Sequence, residues 1–292
     1  MRHYNNRRPR DRGSYNPKWI VDLNCDLAQK WGPFSHKDEE QLLPFVSSVN
    51  IAAGGHAGDS VSVLEALRKA KEKSLSVGAH IGYNDIAGFG RKEIRLDHEE
   101  LKACVLQQLG FIFGLAKSVG IEITHVRPHG AMYYKCGVDT VFAEQLAKAV
   151  SEFSGWLTFV GPAGNYLNSV SDASGLKTVG EVHLDRPYRR DGTLYRFPSN
   201  KYVSFEFAMA QVNSLIYQSK LIVEGGRRVR LPFKTIHLNL DRPYSIQLAE
   251  NLNNMLRRGP TPFEGVSKVP NMQPSDLSSI TALSNLYEQC GY

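Results

Sequence analysis

The chain holds few of the local signatures that usually declare a function. Its cysteines number 4 in 292 residues, at Cys25, Cys104, Cys136 and Cys290. They form no CxxC pair, which argues against a zinc ribbon or the disulfide framework of a small secreted domain. A reducing, intracellular and cytoplasmic setting is therefore expected, with an organelle left open. No run of about 18 apolar residues occurs, so no membrane-crossing helix is expected. The sequence has no GxxxxGK phosphate loop, no GxGxxG opening a helix, no GxSxG elbow and no HExxH pair. Simple forms of P-loop, dinucleotide-binding, serine-hydrolase and zincin chemistry lose their usual markers with them.

What is present suits a folded domain. Hydrophobic residues make up 42% and charged residues 22%, too apolar for a disordered chain. The formal net charge of +6 is unevenly placed. Residues 1–18 carry Arg2, Arg7, Arg8, Arg10, Arg12 and Lys18 against Asp11, so the rest is nearly neutral. This tail has almost no aliphatic residue and no apolar signal core, and is expected to be a solvated extension. Its charge also suits contact with RNA or another acidic surface of a large assembly. Three regions follow: a basic tail at 1–18, a folded body at 19–259 and a Pro-, Ser- and Asn-rich extension at 260–292 with a short helix near 275–289.

In the body, short apolar runs alternate with helical patterns. Strands are predicted at 19–24, 49–52, 76–82, 123–128, 157–161, 178–183 and 235–240. Helices are predicted at 38–47, 60–74, 97–118, 139–153, 163–173, 203–218 and 244–257, with Asp59 and Asp97 as N-caps. Residues 220–231 read as a hairpin turning at Gly225-Gly226. Seven strand–helix units imply an α/β fold with a parallel sheet covered by helices. Strands with consecutive apolar residues suggest a sheet buried on both faces. Polar residues recur at nearly every strand end, which favours a closed or nearly closed seven-stranded parallel β/α barrel over an open sheet.

Those strand ends carry the candidate chemistry. The first presents Asp22, Asn24 and Asp26; the second leads to His56 and Asp59; the third gives His80, Tyr83 and Asp85. The fourth gives Arg127, His129 and Tyr133, the sixth Glu181, Asp185, Arg186 and Tyr188, and the last Asn239 and Asp241. One histidine after a strand is more often a structural hydrogen-bonder than a base. Their recurrence at one end of a barrel would make acids, imidazoles and guanidinium groups meet. Asp22, His56, His80 and His129 then offer either a divalent-metal site or an acid/base set. The amides of the Gly54–Asp59 turn offer an anion cradle. The 38–40 run of Asp38, Glu39 and Glu40 reads as solvated surface.

Several phrases taken together resemble the LamB/YcsF family: VDLNCDL (21–27), LLPFVSSVNIA (42–52), HAGD (56–59), GAHIGYNDIAGFGR (78–91), RPHGAMY (127–133) and EVHLDRPYRRDGTL (181–194). The resemblance runs from about residue 20 to 256. It implies a barrel of the glycoside hydrolase/deacetylase type. It also implies opening of the 5-oxoproline lactam to glutamate, driven by ATP and shared with other oxoprolinase subunits. Carried over residue by residue, catalytic roles would fall to Asp22, Asp26, His56, His80, His129 and Asp185. Substrate binding would fall to Asn24, Tyr83, Asp85, Arg91, Arg127, Tyr133, Glu181, Arg186 and Asp241.

Four departures stand out. The family's DLNxDxGE reads DLNCDLAQ, with Ala28-Gln29 for Gly-Glu; KPHG reads RPHG; HGD reads Asn239-Leu240-Asp241; and CGFH reads Ala53-Gly54-Gly55-His56. Gln29 and Asn239 keep polarity but delete acid/base capacity, and Arg127 stays charged where a lysine could titrate. Three readings follow: a 5-oxoprolinase component with intact or impaired chemistry, a non-catalytic barrel serving as a scaffold, and a metal-dependent deacetylase.

Overall fold

The computed structural model describes residues 21–31, 39–196 and 202–258. The basic tail, the C-terminal extension and the helix expected near 275–289 lie outside the described residues. Strands β1 (Asp22–Leu27), β2 (Ser48–Ala52), β3 (Ser76–Ile81), β4 (Ile123–Pro128), β5 (Thr158–Pro162), β6 (Lys177–His183) and β9 (Thr235–His237) form a closed parallel barrel. Closure comes from β9, which pairs with β1 on one side and β6 on the other. The short strands β7 (Leu221–Ile222) and β8 (Arg228–Val229) make the predicted antiparallel hairpin, with Gly225 and Gly226 both at positive φ in its turn.

Helices α1 (Ser60–Glu72), α2 (His98–Val119), α3 (Gly130–Cys136), α4 (Thr140–Phe153), α5 (Tyr166–Ser174), α6 (Phe205–Gln218) and α7 (Ser245–Arg258) complete the fold. The caps follow the local chemistry. Asp59 accepts the backbone N–H groups of Val61 and Ser62, and Asp97 forms a capping box with Glu100. Such caps contribute about 1 kcal/mol each. Between β1 and β2, where the sequence predicts a helix, Glu39–Phe45 is a 3₁₀ segment containing Pro44, whose missing N–H does not suit an α-helix interior. The α3 helix is absent from the sequence-based expectation; at seven residues it is too short to show a clear period.

The strands alternate rather than run apolar on both faces. Leu23, Cys25 and Leu27 on β1, Val49 and Ile51 on β2, Ala79 and Ile81 on β3 and Val182 on β6 join the buried apolar cluster. The intervening residues, Asn24, Asn50, His80, Arg127, Glu181 and His237, are buried polar groups from six strands that lie in one hydrogen-bonded network. The barrel therefore packs polar side chains inside and its apolar core between sheet and helices. A bulge sets the parity of β4: Val77 pairs with Ile123 but Gly78 pairs with His125, skipping Thr124. Without that skip, Ile123 would share the inner face with His125 and Arg127. Gly78 is required there, because a Cβ would stand 2.2 Å from His125 Nε2.

Candidate active site

The polar interior is layered along the barrel axis. At the N-terminal end, Asp22 accepts the hydroxyls of Ser47 (2.6 Å), Ser48 (2.7 Å) and Thr235 (2.6 Å). Asp22 starts β1, and these bonds tie strand beginnings together at the barrel's N-terminal end. This corrects its expected place beside the histidines: Asp22 precedes Asp26 by four residues, two pleat repeats along β1, and so lies at the other end of the strand.

Above it, Asn24 is the hub of the middle layer. Its Nδ2 donates to Glu181 Oε2 (3.0 Å) and Thr235 Oγ1 (2.6 Å), while its Oδ1 accepts Asn50 Nδ2 (2.8 Å) and faces His237 Nδ1 (2.7 Å). His125 Nε2 closes the layer on Asn50 Oδ1 at 3.0 Å. With its side chain saturated in this way, Asn24 holds the barrel interior rather than a free ligand.

At the C-terminal end of the strands, Arg127 links two carboxylates. Its Nε lies 2.9 Å from both Glu181 oxygens, its Nη2 donates to Glu181 Oε1 at 2.7 Å, and its Nη1 reaches Asp26 Oδ1 at 3.3 Å. The guanidinium also lies over the Tyr133 ring, 4.6 Å from its centroid. Burial opposes ionisation of Glu181, but Arg127, His237 and His183 outweigh it and hold the carboxyl well below the usual range. Asp26 is held low in the same way by His80, Arg127 and His237. Arg127 itself is raised, since Glu181 and Asp26 overcome its burial.

Imidazoles crowd this carboxylate pair. His80 Nε2 stands 3.2 Å from Asp26 Oδ2, and His183 Nε2 stands 3.3 Å from Glu181 Oε1 and 3.1 Å from the Tyr133 hydroxyl. His129 Nδ1 lies 3.0 Å from His80 Nε2, and His56 stacks on His129 with centroids 3.7 Å apart. His56, His80 and His129 each offer a nitrogen within 4.8 Å of the others. Burial keeps His56 and His129 well below the usual imidazole range, and pushes His125 to about 4 and His237 to about 3.

A second polar group surrounds Asp185. Asn239 Nδ2 donates to both of its oxygens (2.9 and 2.8 Å), and Arg242 Nε stands 3.2 Å away. Burial opposes its ionisation, but Arg186 and Arg242 keep its pKa low, so Asp185 is a paired anion. Arg186 donates to Tyr134 Oη (2.9 Å) and Asn239 Oδ1 (3.2 Å), leaving a buried Nε with no hydrogen bond. Arg91 is exposed beside them and feels both Asp241 and Arg186. Asp241 pairs with Arg242 at 3.4 Å.

Two candidates stand apart from these groups. Tyr83 is fully buried in the apolar cluster. Asp85 accepts the Gly88 N–H at 2.9 Å and shapes the 85–90 loop, whose Phe89 carbonyl faces His129 Nε2 at 2.9 Å. In the Gly54–Asp59 turn, expected to offer its amides to an anion, those of Gly54, Gly58 and Asp59 are spent on the carbonyls of Ala57 and Lys30.

The structure adds residues that sequence reading passed over. His125, His183 and His237 lie in strands, where a polar residue every second position was the available signal. Glu39, read as solvated, is only 8% exposed and accepts the Gln29 backbone N–H at 3.1 Å. Its burial pushes its carboxyl up to about 7. The substituted positions also have defined partners. Gln29 Nε2 donates to Asp26 Oδ2 at 3.1 Å, a bond an ionised glutamate could not make, and Ala28 adopts φ 58, a conformation that favours glycine.

A sequence model described as the LamB/YcsF family matches residues 21–270. The chain is 36% identical over 240 residues to the A subunit of 5-oxoprolinase from Shouchella clausii (strain KSM-K16), covering 82% of this chain and 95% of that protein. It is 37% identical over 238 residues to the A subunit of 5-oxoprolinase from Chloroflexus aggregans (strain MD-66 / DSM 9485), covering 81% of this chain and 94% of that protein. In three dimensions it matches the lactam utilization protein from Thermus thermophilus with a TM-score of 0.74 at 33% identity, covering 82% of this chain and 96% of that one.

Proposed function

The chain belongs to the LamB/YcsF family, and on that premise we propose that it is a 5-oxoprolinase component. In this reading it opens the lactam of 5-oxo-L-proline to L-glutamate with ATP and with further oxoprolinase subunits. The observation that carries the reading is the interior of the barrel mouth. There Arg127 bridges Asp26 and Glu181 directly beside His80, His183 and Tyr133.

A lactam is a stable amide, so hydrolysis needs an activated carbonyl, a base for water and an acid for the leaving nitrogen. ATP would supply the carbonyl activation by transferring its terminal phosphoryl group to the carbonyl oxygen, with ADP leaving. The residues that would hold its phosphate or the substrate carboxylate are Arg186, with its unpaired buried Nε, and the neighbouring Arg91. The Asp26–His80 pair takes a proton from the attacking water as oxygen bonds to the carbonyl carbon. The C–N bond then breaks to leave an acyl phosphate, and its hydrolysis by a second water releases phosphate and glutamate. Tyr133, kept neutral by burial, donates toward the departing nitrogen and is re-protonated through His183.

A slower variant of the same chemistry has its own support. Gln29 and Asn239 place neutral amides on Asp26 and Asp185, where the family pattern has an acid and an imidazole. The test is to combine the purified chain with the other oxoprolinase components of a relative, 5-oxoproline and ATP, and to follow glutamate and ADP. Formation that depends on both ATP and those components is expected, with a higher kcat for the Gln29→Glu and Asn239→His double variant. No glutamate from either protein, in a mixture where the relative's own counterpart of this chain is active, would overturn the proposal.

A further inference from the structure

The folded body gathers uncompensated positive charge on one short stretch. Residues 220–234 hold Lys220, Arg227, Arg228, Arg230 and Lys234 against Glu224 alone, while residues 19–219 and 235–292 hold 24 basic side chains against 27 acidic ones. All five cations are exposed, and none has an ion pair or a side-chain hydrogen bond among the described residues. Glu224 is partly buried and accepts the Tyr195 hydroxyl at 3.2 Å, so it is engaged elsewhere.

Exposure alternates along this stretch. Val229, Leu231 and Phe233 pack against the core, and Arg228, Arg230, Pro232 and Lys234 between and beside them are exposed. A period of two sets these cations in one outward row, with a repeat of about 6–7 Å. The hairpin register adds a further cation. Leu221 pairs with Val229, so the next position places Lys220 across from Arg230. Like charges directly opposed across a strand pair are destabilising, and a bound polyanion would offset that cost. At the far end of the row the Lys234 carbonyl accepts the Asp22 N–H at 3.0 Å. The row therefore leads to the N-terminal end of the barrel, away from the mouth, and does not steer substrate towards Arg127 or Arg186.

We propose that this row, Lys220 with Arg228, Arg230 and Lys234, binds the phosphate backbone of single-stranded RNA. A protein partner needs an apolar centre within its charged rim. No large apolar side chain between 220 and 234 is exposed, because Val229, Leu231 and Phe233 turn towards the core. Contacts to a nucleic-acid backbone need cations alone, and three of the five on this stretch are arginines, whose planar fork suits phosphate oxygens. An extended row with no helix to enter a groove suits a single strand rather than a duplex. The Arg-rich residues 1–18 are a second source of the same attraction, which the test has to separate from the row. The inference holds whether or not the lactam reading does.

Binding of the full chain to a fluorescent oligouridylate is followed by anisotropy from about 50 to about 200 mM salt. Affinity that falls with salt is expected. Arg228→Ala/Arg230→Ala/Lys234→Ala should weaken binding and make the log–log salt slope shallower by about 2, at roughly 0.7 per phosphate contact on a single strand. Lys73→Ala/Lys117→Ala/Lys148→Ala removes as much charge from other exposed positions and should bind as wild type does. Wild-type affinity and slope in the first variant would overturn the proposal, as would an equal loss in the second. Displacement of the RNA by poly-glutamate at matched charge concentration would also overturn it, in favour of an acidic protein partner. Cross-linking of the wild type to a 4-thiouridine strand needs no variant. A linked peptide from residues 220–234 supports the row, and links confined to residues 1–18 refute it.

Discussion

At the scale of single residues, Arg127 is the group on which the site depends most. It satisfies Glu181 through three contacts and Asp26 through a fourth, in a place where neither carboxylate can be left to water. Removing one member of a buried ion pair leaves uncompensated charge, at a cost of about 3–5 kcal/mol. Arg127→Met is therefore expected to lower the urea-unfolding free energy by that amount. The Arg127→Met/Glu181→Leu double variant should recover part of the loss, because the stranded charge is gone. Equal destabilisation by the two variants would show that the pair's packing, not its charge, dominates. The substitutions relative to the family pattern gain meaning at this scale too. Gln29 supplies Asp26 with a donor, and Asn239 grips both oxygens of Asp185, so each amide stabilises a carboxylate rather than exchanging its proton.

At the scale of elements, the bulge between β3 and β4 decides which side chains line the interior. Skipping Thr124 turns His125, Arg127 and His129 inward, and the Thr124 hydroxyl is satisfied on the Val77 carbonyl at 3.1 Å. The facing Gly78 leaves the space that the His125 ring fills. Gly78→Ala is expected to destabilise by about 1–3 kcal/mol, the usual cost of overpacking. It should also break the 3.0 Å bond from His125 to Asn50. Thermal unfolding of Gly78→Ala against Gly78→Ala/His125→Ala tests the contact: the second variant should suffer no added penalty from the alanine at 78. Additive losses would place the strain elsewhere.

At the scale of the whole molecule, the polar barrel makes stability depend on pH. Buried imidazoles resist protonation: His125 titrates at about 4 and His237 at about 3, and His183 is lowered as well, all by burial. An unfolded histidine takes its proton near 6.5. Below that pH the unfolded chain binds protons that the folded one does not, so stability falls as pH drops from about 6.5 towards 4. Glu39 acts in the opposite sense. Its folded value of about 7 lies above the unfolded one, so its contribution is full below about 4.5 and is lost as pH rises through 7. Several histidines outweigh one carboxyl, and the protein should show a lower Tm at about pH 5 than at about pH 7.5. In Glu39→Gln that drop should be steeper, since the opposing group is removed. A shallower drop in the variant would contradict the assignment.

The sequence by itself determined the strand–helix alternation, the hairpin at Gly225-Gly226, the caps at Asp59 and Asp97, and the family. These rest on local periodicity, turn chemistry and motifs that lie within a few residues of one another. The strand-end motifs also made Asp26, His80, Arg127, His129 and Glu181 legible as site candidates. Only the tertiary structure decided that Asp22 belongs to the opposite end of the barrel, that Tyr83 is core, and that Glu39 is buried. It alone brought His125, His183 and His237 inside. Closure of the barrel by β9 and the one-residue bulge in β4 settle which face of each strand turns inward. Those are long-range pairings, and a residue's neighbours across a barrel are set by strands up to about two hundred positions away, as with Asn24 and Thr235.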